Sequence, residues 1–194
     1  WVRAERINRN GGYREDPAEV YNQLMGMGTG EILIQQSAEV VHLTPVARQL
    51  AQACEPGVVA FATVLCGTHQ QLAGVRWGVG AGWVGQTHEW TGMKRQPIDP
   101  LGRRPDGGQG TAAPPISLHV GGERVDAYTS AERPVPFFFC GAITREDWLR
   151  TGGYQVDIPH GASDLHLAIR MMQLGLRFRF LGNAVAYHIA HDKT

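Results

Sequence analysis

The sequence predicts a single α/β domain with a mostly parallel sheet and helices on both faces. The chain has 194 residues, of which 43% are hydrophobic and 19% are charged, so it can bury one sizeable core. A β-prone run at 31–35 is followed by a helical pattern at 45–53 and by a second β-prone run at 58–64. Strand, helix and strand in this order are typical of a parallel sheet that is covered by helices.

The remaining elements follow from local signals of the same kind. Asp16 and Pro17 predict the start of a helix, and Gly28 and Gly30 predict its end. The segment 67–135 is rich in Gly and Pro, so we expect an irregular insert within one domain that spans 1–194. Regular patterns return after it, with strands predicted at 137–140, 178–180 and 184–188 and helices at 144–150 and 163–174.

Composition argues against several classes of protein. Eighteen Lys and Arg balance eighteen Asp and Glu, so no overall positive field favours nucleic acid as a partner. Three cysteines without a CxxC pair indicate neither a disulfide scaffold nor a zinc ribbon, and they favour a reducing, cytoplasmic location. No apolar run is long enough to predict a transmembrane segment.

Two local motifs have ordinary structural explanations. The residues at 80–85 match GxGxxG, but no strand precedes them and no helical period follows, which favours a flexible loop over a dinucleotide site. His188 and His191 follow an apolar run at a spacing that suits two zinc ligands, but no HExxH motif accompanies them. A histidine satisfied by the backbone at a strand end is the alternative for His188.

Asp164 stands at the predicted start of a helix. There the positive end of the helix dipole stabilises an ionised carboxylate, and a helix-capping role is common for Asp at this position. A catalytic role requires a second anionic group and a substrate at the same rim of the sheet.

Several features of the second half of the chain occur in a fixed order. They are an aromatic strand with Gly141-Ala142, a helix with Arg145, Gly152-Gly153-Tyr154, Ser163-Asp164 before a helix with Arg170, and Tyr187-His188. In order and spacing this run resembles the C-terminal half of family 2-like glycosyltransferases with the GT-A fold. Upstream, Asn10-Gly11-Gly12, Asn22 and the residues at 30–34 resemble the stretch that leads into the acidic metal motif of that family.

The resemblance implies a GT-A-like, Rossmann-like sheet and an enzyme that transfers a sugar from a nucleotide-diphosphate sugar to an acceptor hydroxyl. Asp164 would be the base of an inverting reaction, and Glu39 and His188 would hold a divalent cation, Mn²⁺ or Mg²⁺, beside the diphosphate. Trp83 and Trp90 would stack on sugar rings of a carbohydrate acceptor. The other residues in contact with substrate would be Gly141, Gly152, Gly153 and Ser163.

The chain departs from the family pattern in two places. Gln36-Ser37-Ala38-Glu39 stands where the family has Asp-x-Asp, which leaves Glu39 as the only carboxylate there. The nucleotide-binding strands of the family have no counterpart before Trp1, so we expect an N-terminally truncated version of the fold. These departures favour, as an alternative, a non-catalytic relative that binds a carbohydrate or a nucleotide sugar. A metal hydrolase using His188 and His191 is a third hypothesis.

Overall fold

The computed structural model describes residues 17–68, 72, 88–90, 117–120, 123–129, 138, 140–156 and 163–190, and for Pro17 and the three short ranges between 88 and 129 it describes the backbone alone. In chain order the described elements are α1 (Pro17–Met27), β1 (Ile32–Gln36), β2 (Val40–His42), α2 (Val46–Ala53), β3 (Val58–Gly67), β4 (His88–Trp90), β5 (Ser117–Val120), β6 (Glu123–Thr129), β7 (Cys140–Thr144), α3 (Arg145–Thr151), α4 (Ser163–Gln173) and β8 (Arg177–Ile189).

Strand β3 lies at the centre of the sheet. It pairs in parallel with β8, and its other side pairs antiparallel with β7 and with β6. The pairings of β1 with β7, of β5 with β6, and of β8 with β2 and β4 are also antiparallel. The α/β class is therefore confirmed, but the pairings between described strands make a mixed sheet, and a mostly parallel sheet is not confirmed. The physical reason is that β7 inserts antiparallel between β1 and β3.

Three strands nevertheless run in the same direction. Because β1 and β3 both pair antiparallel with β7, and β3 is parallel to β8, the strands β1, β3 and β8 all end on one edge of the sheet. We call this edge the carboxyl edge. Gln36 lies opposite Cys140 there, and Gly67 lies opposite Ile189. The carboxyl ends of strands are where open α/β sheets bind their ligands.

Alternation along β3 divides the core into two layers. Val59 and Phe61 face a cluster that includes Trp148 of α3 and Leu167 of α4, whereas Ala60, Ala62 and Val64 face a second cluster with Val46 and Leu50 of α2. Helices thus cover both faces of the sheet. The first cluster holds most of the aromatic volume, with the Phe61 ring 5.0 Å from Phe138, 5.6 Å from Phe178 and 5.1 Å from Phe180.

Helix α3 lies one residue later than the predicted helix at 144–150, because the strand before it runs from Cys140 to Thr144 and not over 137–140. Thr144 caps it by accepting a hydrogen bond from the Asp147 backbone N–H, and Gly152 ends it in the left-handed conformation. The buried Asp147 carboxylate also accepts hydrogen bonds from the Gly57 N–H and from Arg150. This carboxylate therefore joins the start of α3 to the start of β3.

Some boundaries differ from the sequence-based prediction. The two predicted β-prone runs near the end of the chain form one strand, β8, whose pairing with β3 shifts register between Ala62 and Thr63. A bulge of this kind lets a long strand continue through a change of register. The strands β4, β5 and β6 lie within the predicted irregular insert at 67–135, and apart from these strands and residues 67, 68 and 72 the insert lies outside the described residues. Among the described helices, none is long and apolar enough to cross a membrane.

Replacing Phe61 by Ala tests the aromatic layer. Phe61 is fully buried, so its truncation leaves a cavity, and we expect a loss of about 3–5 kcal/mol in the free energy of unfolding. Urea unfolding followed by circular dichroism measures it. Leu149→Ala is the control, because that side chain is 61% exposed, and its effect should stay within about 0.5 kcal/mol. Equal effects in the two variants would contradict the packing described here.

Candidate functional site

The Asp164 carboxylate lies at the first turn of α4, beside the carboxyl edge. It accepts a hydrogen bond from the Tyr154 hydroxyl at 3.1 Å and another from the backbone N–H of Phe138. Burial raises the pKa of Asp164 above its usual value, although both hydrogen bonds act in the opposite direction by stabilising the carboxylate. Asp164 is thus more than a simple helix cap, because its partners come from outside its own helix.

Gln35 and Tyr154 stand behind Asp164. The Gln35 amide Nε2 donates to the Tyr154 hydroxyl oxygen at 2.8 Å, and the two side chains are only 6% and 3% exposed. Gln35 Oε1 is buried without a hydrogen-bond partner in the part of the chain that the structure describes. Sequence reasoning missed both residues. The available signal was a glutamine at an inward position of β1, where the alternation of the strand calls for an apolar residue.

A tight turn after α3 places Tyr154. Gly152 and Gly153 both have positive φ, a conformation that glycine adopts without strain. Asn22 of α1 then holds the backbone of Tyr154 on both sides: its Oδ1 accepts from the Tyr154 N–H at 2.7 Å, and its Nδ2 donates to the Tyr154 carbonyl at 2.8 Å. A β-carbon on Gly153 would collide with Asn22 Oδ1. Arg170 of α4 donates to the carbonyls of Thr151 and Gly153 and so ties the turn to α4.

Glu39 lies in the exposed turn between β1 and β2, also at the carboxyl edge. Its charge reaches Tyr21 of α1. Burial raises the pKa of Tyr21, a hydrogen bond with Ser37 lowers it, and the negative charges of Asp164 and Glu39 raise it further. The pKa of Asp164 itself is shifted by burial and by its bonds to Tyr154 and Phe138.

His188 lies near the end of β8, half-buried, on the opposite layer of the sheet from Phe61. Its Nδ1 is 3.8 Å from the Cys66 sulfur. Val40, not Glu39, lies directly opposite His188, and the Ile189 N–H donates to the Glu39 carbonyl at 3.0 Å, so this pairing joins the two backbones and does not by itself bring the two side chains together. Tyr154 and Phe138, the partners of Asp164, belong to the layer of Phe61, so the structure places His188 and Asp164 on opposite layers of the sheet. Within the described residues, no three His, Cys, Asp or Glu side chains form a group that could hold a metal ion.

The other predicted site residues have varied positions. Gly141 is buried in β7, where a β-carbon would lie about 3.0 Å from the Phe61 ring, and Ser163 is the half-buried first residue of α4. Trp90 belongs to β4, and nothing is described of its side chain. Trp83, His191 and the GxGxxG match at 80–85 lie outside the described residues.

The thiols of all three cysteines have raised pKa values. Burial raises the pKa of Cys140 to about 12 and that of Cys54 to about 11, so both are protonated at neutral pH. Burial also raises the pKa of Cys66. Cys54 and Cys140 therefore do not provide a thiolate nucleophile at neutral pH.

A cleft of about 680 Å³ lies at the opposite edge of the sheet. It is bounded by Ile32 at the start of β1, by Pro56 before β3, and by Arg145 at the start of α3. None of the predicted site residues lines it. The hydrogen-bonded carboxylate of Asp164 lies at the other edge, so the candidate site is placed at the carboxyl edge.

The raised pKa of Asp164 predicts how pH changes stability. A carboxyl group whose pKa is raised by folding contributes most stability below its unfolded pKa, and this contribution is lost as pH rises through the folded pKa. Asp164→Asn removes the buried charge, so we expect a higher free energy of unfolding than wild type at about pH 7 and a smaller difference at about pH 3. Urea unfolding at both pH values measures this. If Asp164→Asn were less stable than wild type by the same amount at both pH values, a raised pKa of Asp164 would be contradicted.

Comparison with known proteins adds no family to this geometry. No family model matches the chain, and no curated protein matches its sequence. A function for the carboxyl edge is therefore inferred from its own chemistry, together with the order of motifs along the sequence.

Proposed function

We propose that this chain is a glycosyltransferase domain of GT-A-like fold, which moves a sugar from a nucleotide-diphosphate sugar to an acceptor hydroxyl. The observation that carries the proposal is the buried Asp164 carboxylate at the carboxyl edge, which partners from other elements hold by hydrogen bonds. The motif order from Gly141 to His188 supports the same conclusion.

Asp164 is the base of the proposed reaction. The acceptor hydroxyl gives its proton to the carboxylate while its oxygen attacks the anomeric carbon, and the bond from that carbon to the diphosphate breaks on the opposite side. Attack from the face opposite the leaving group inverts the configuration. Burial helps, because it raises the pKa of Asp164 toward the pH at which the reaction runs, while Tyr154 and the Phe138 N–H keep the carboxylate in place.

Glu39 and His188 are the residues that would hold a divalent cation, Mn²⁺ or Mg²⁺. Carboxylate and diphosphate oxygens are the ligands that Mg²⁺ and Mn²⁺ prefer, and an imidazole as the third ligand suits Mn²⁺ better than Ca²⁺. When bound, the ion would neutralise charge on the diphosphate.

The observed α/β fold is compatible with this assignment. Strands β1, β3 and β8 run in one direction, helices cover both faces, and the candidate site lies at the ends of these strands. That is the usual location of ligands in open α/β sheets. The turn at Gly152 and Gly153 and the start of α4 at Ser163 would border the donor, and Trp83 and Trp90 would stack on the carbohydrate acceptor.

Transfer or hydrolysis of nucleotide-diphosphate sugars with added Mn²⁺ tests the proposal. We expect wild type to be active and Asp164→Asn to lose at least about a hundredfold in kcat, because general base catalysis contributes about 10²–10⁴-fold. Glu146→Gln is the matched control: it removes an exposed carboxylate beside the cleft at the opposite edge and should retain wild-type activity. Equal activity of wild type and Asp164→Asn would remove Asp164 from the mechanism.

A non-catalytic relative that binds a sugar or nucleotide sugar is the second candidate. It is favoured by Ser37, which stands within the expected acidic motif and shares a hydrogen bond with Tyr21 instead of offering a carboxylate. Titration calorimetry separates the two. Binding of the nucleotide sugar without turnover, and with the same affinity in the presence of a chelator, would favour the binding protein.

A further inference from the structure

We infer that Tyr154 is a positioning residue for Asp164, and that Gln35 directs the Tyr154 proton toward that carboxylate. The inference rests on the proposed function, because it explains how the base of that reaction is held. The three side chains form one chain of hydrogen bonds, from the Gln35 amide to the Tyr154 hydroxyl at 2.8 Å and from that hydroxyl to Asp164 Oδ1 at 3.1 Å.

The direction of these bonds follows from the chemistry of the groups. The Gln35 nitrogen can only donate, so the Tyr154 oxygen accepts from it. Tyrosine has a single hydroxyl proton, and the contact that remains for that proton is Asp164 Oδ1. A hydrogen bond to an ionised acceptor is about twice as strong as one between neutral groups. Because Gln35 occupies the Tyr154 oxygen as an acceptor, the Tyr154 hydroxyl proton is directed to the Asp164 carboxylate.

The Tyr154 hydroxyl cannot easily move away. Asn22 fixes the backbone on both sides, as described above, and aromatic neighbours enclose the ring, with ring centres at 5.5 Å for Tyr21, 5.8 Å for Trp148 and 6.3 Å for Phe138. Because the ring is rigid, the hydroxyl defines a fixed point in the site. The carboxylate that bonds to it takes the same orientation in each catalytic cycle, which is what positioning requires.

The buried Gln35 Oε1 is consistent with a role beyond packing. A buried polar atom without a partner costs free energy, and an apolar residue at this inward position of β1 would avoid that cost. The hydrogen bond from the Gln35 amide to Tyr154 explains why a glutamine occupies this position in spite of that cost. Core packing alone would favour an apolar residue here.

Tyr154→Phe tests the inference, since it deletes the hydroxyl and keeps the ring. Tyr154 and the Phe138 N–H donate hydrogen bonds to Asp164 from other elements, and Tyr21 is near enough for the charge of Asp164 to raise its pKa. Tyr154→Phe removes one of the two donors and leaves the other groups in place. We expect the pKa of Asp164, followed by carbon NMR of its carboxyl group, to rise by about one unit. In turnover assays we expect kcat to fall about tenfold with little change in KM, and the acidic limb of the kcat profile to move to higher pH.

Two further variants keep the test decisive. Tyr21→Phe is the matched control, because its hydroxyl bonds Ser37, and it should leave the titration of Asp164 unchanged. Gln35→Met removes the directing donor and keeps the Tyr154 hydroxyl, so it should shift the Asp164 pKa in the same direction by a smaller amount. If neither Tyr154→Phe nor Gln35→Met shifts that pKa, the inference is overturned.

The outcome is separable from that of the proposed function. The carboxyl titration requires no turnover, so a wild-type protein without transferase activity would refute the proposed reaction while the NMR result still decides whether Tyr154 controls Asp164. An active wild type whose kcat is unchanged in Tyr154→Phe would leave the reaction standing and refute the positioning role.

Discussion

The parallel pairing of β3 with β8 is the constraint on which the rest of the structure depends. It joins residues more than a hundred positions apart over ten register pairs, and every other described strand attaches to this pair directly or through one neighbour. Such non-local pairing requires a large loss of chain entropy before the first contact is made. The two buried layers offset that loss, with Phe61 at the centre of one and Ala60, Ala62 and Val64 lining the other.

The candidate site is a local exception to this apolar arrangement. Asp164 keeps a charge where burial disfavours it, and Gln35 keeps a buried carbonyl oxygen without a partner in the described part of the chain. Buried charges and buried polar atoms without partners lower the free energy of unfolding, and they occur most often at functional sites. Asp147 differs from Asp164 in this respect. Its buried carboxylate accepts hydrogen bonds from the Gly57 N–H, from the Thr144 hydroxyl and from Arg150, and so joins α3 to the start of β3.

Sequence patterns predicted the individual elements better than their arrangement. The apolar run of β3 and the capped helix α3 follow from periodicity and end signals, which are local properties. The antiparallel insertion of β7 between β1 and β3 does not, because alternation along a strand carries no information about the direction of its neighbour. At the site, Asp164 could be proposed from its position at the start of a helix together with the family resemblance, and Glu39 from the resemblance. Tyr154 and Gln35 could not, since a buried tyrosine resembles any core residue until its hydroxyl partner is known.

A structure of the chain with a nucleotide-diphosphate sugar, Mn²⁺ and an acceptor analogue tests the central claim most directly. The account predicts the diphosphate at the carboxyl edge between Glu39 and His188, with the acceptor hydroxyl about 3 Å from an Asp164 oxygen. A donor bound elsewhere, for instance in the cleft beside Arg145, with Asp164 in contact only with Tyr154 and Phe138, would contradict it.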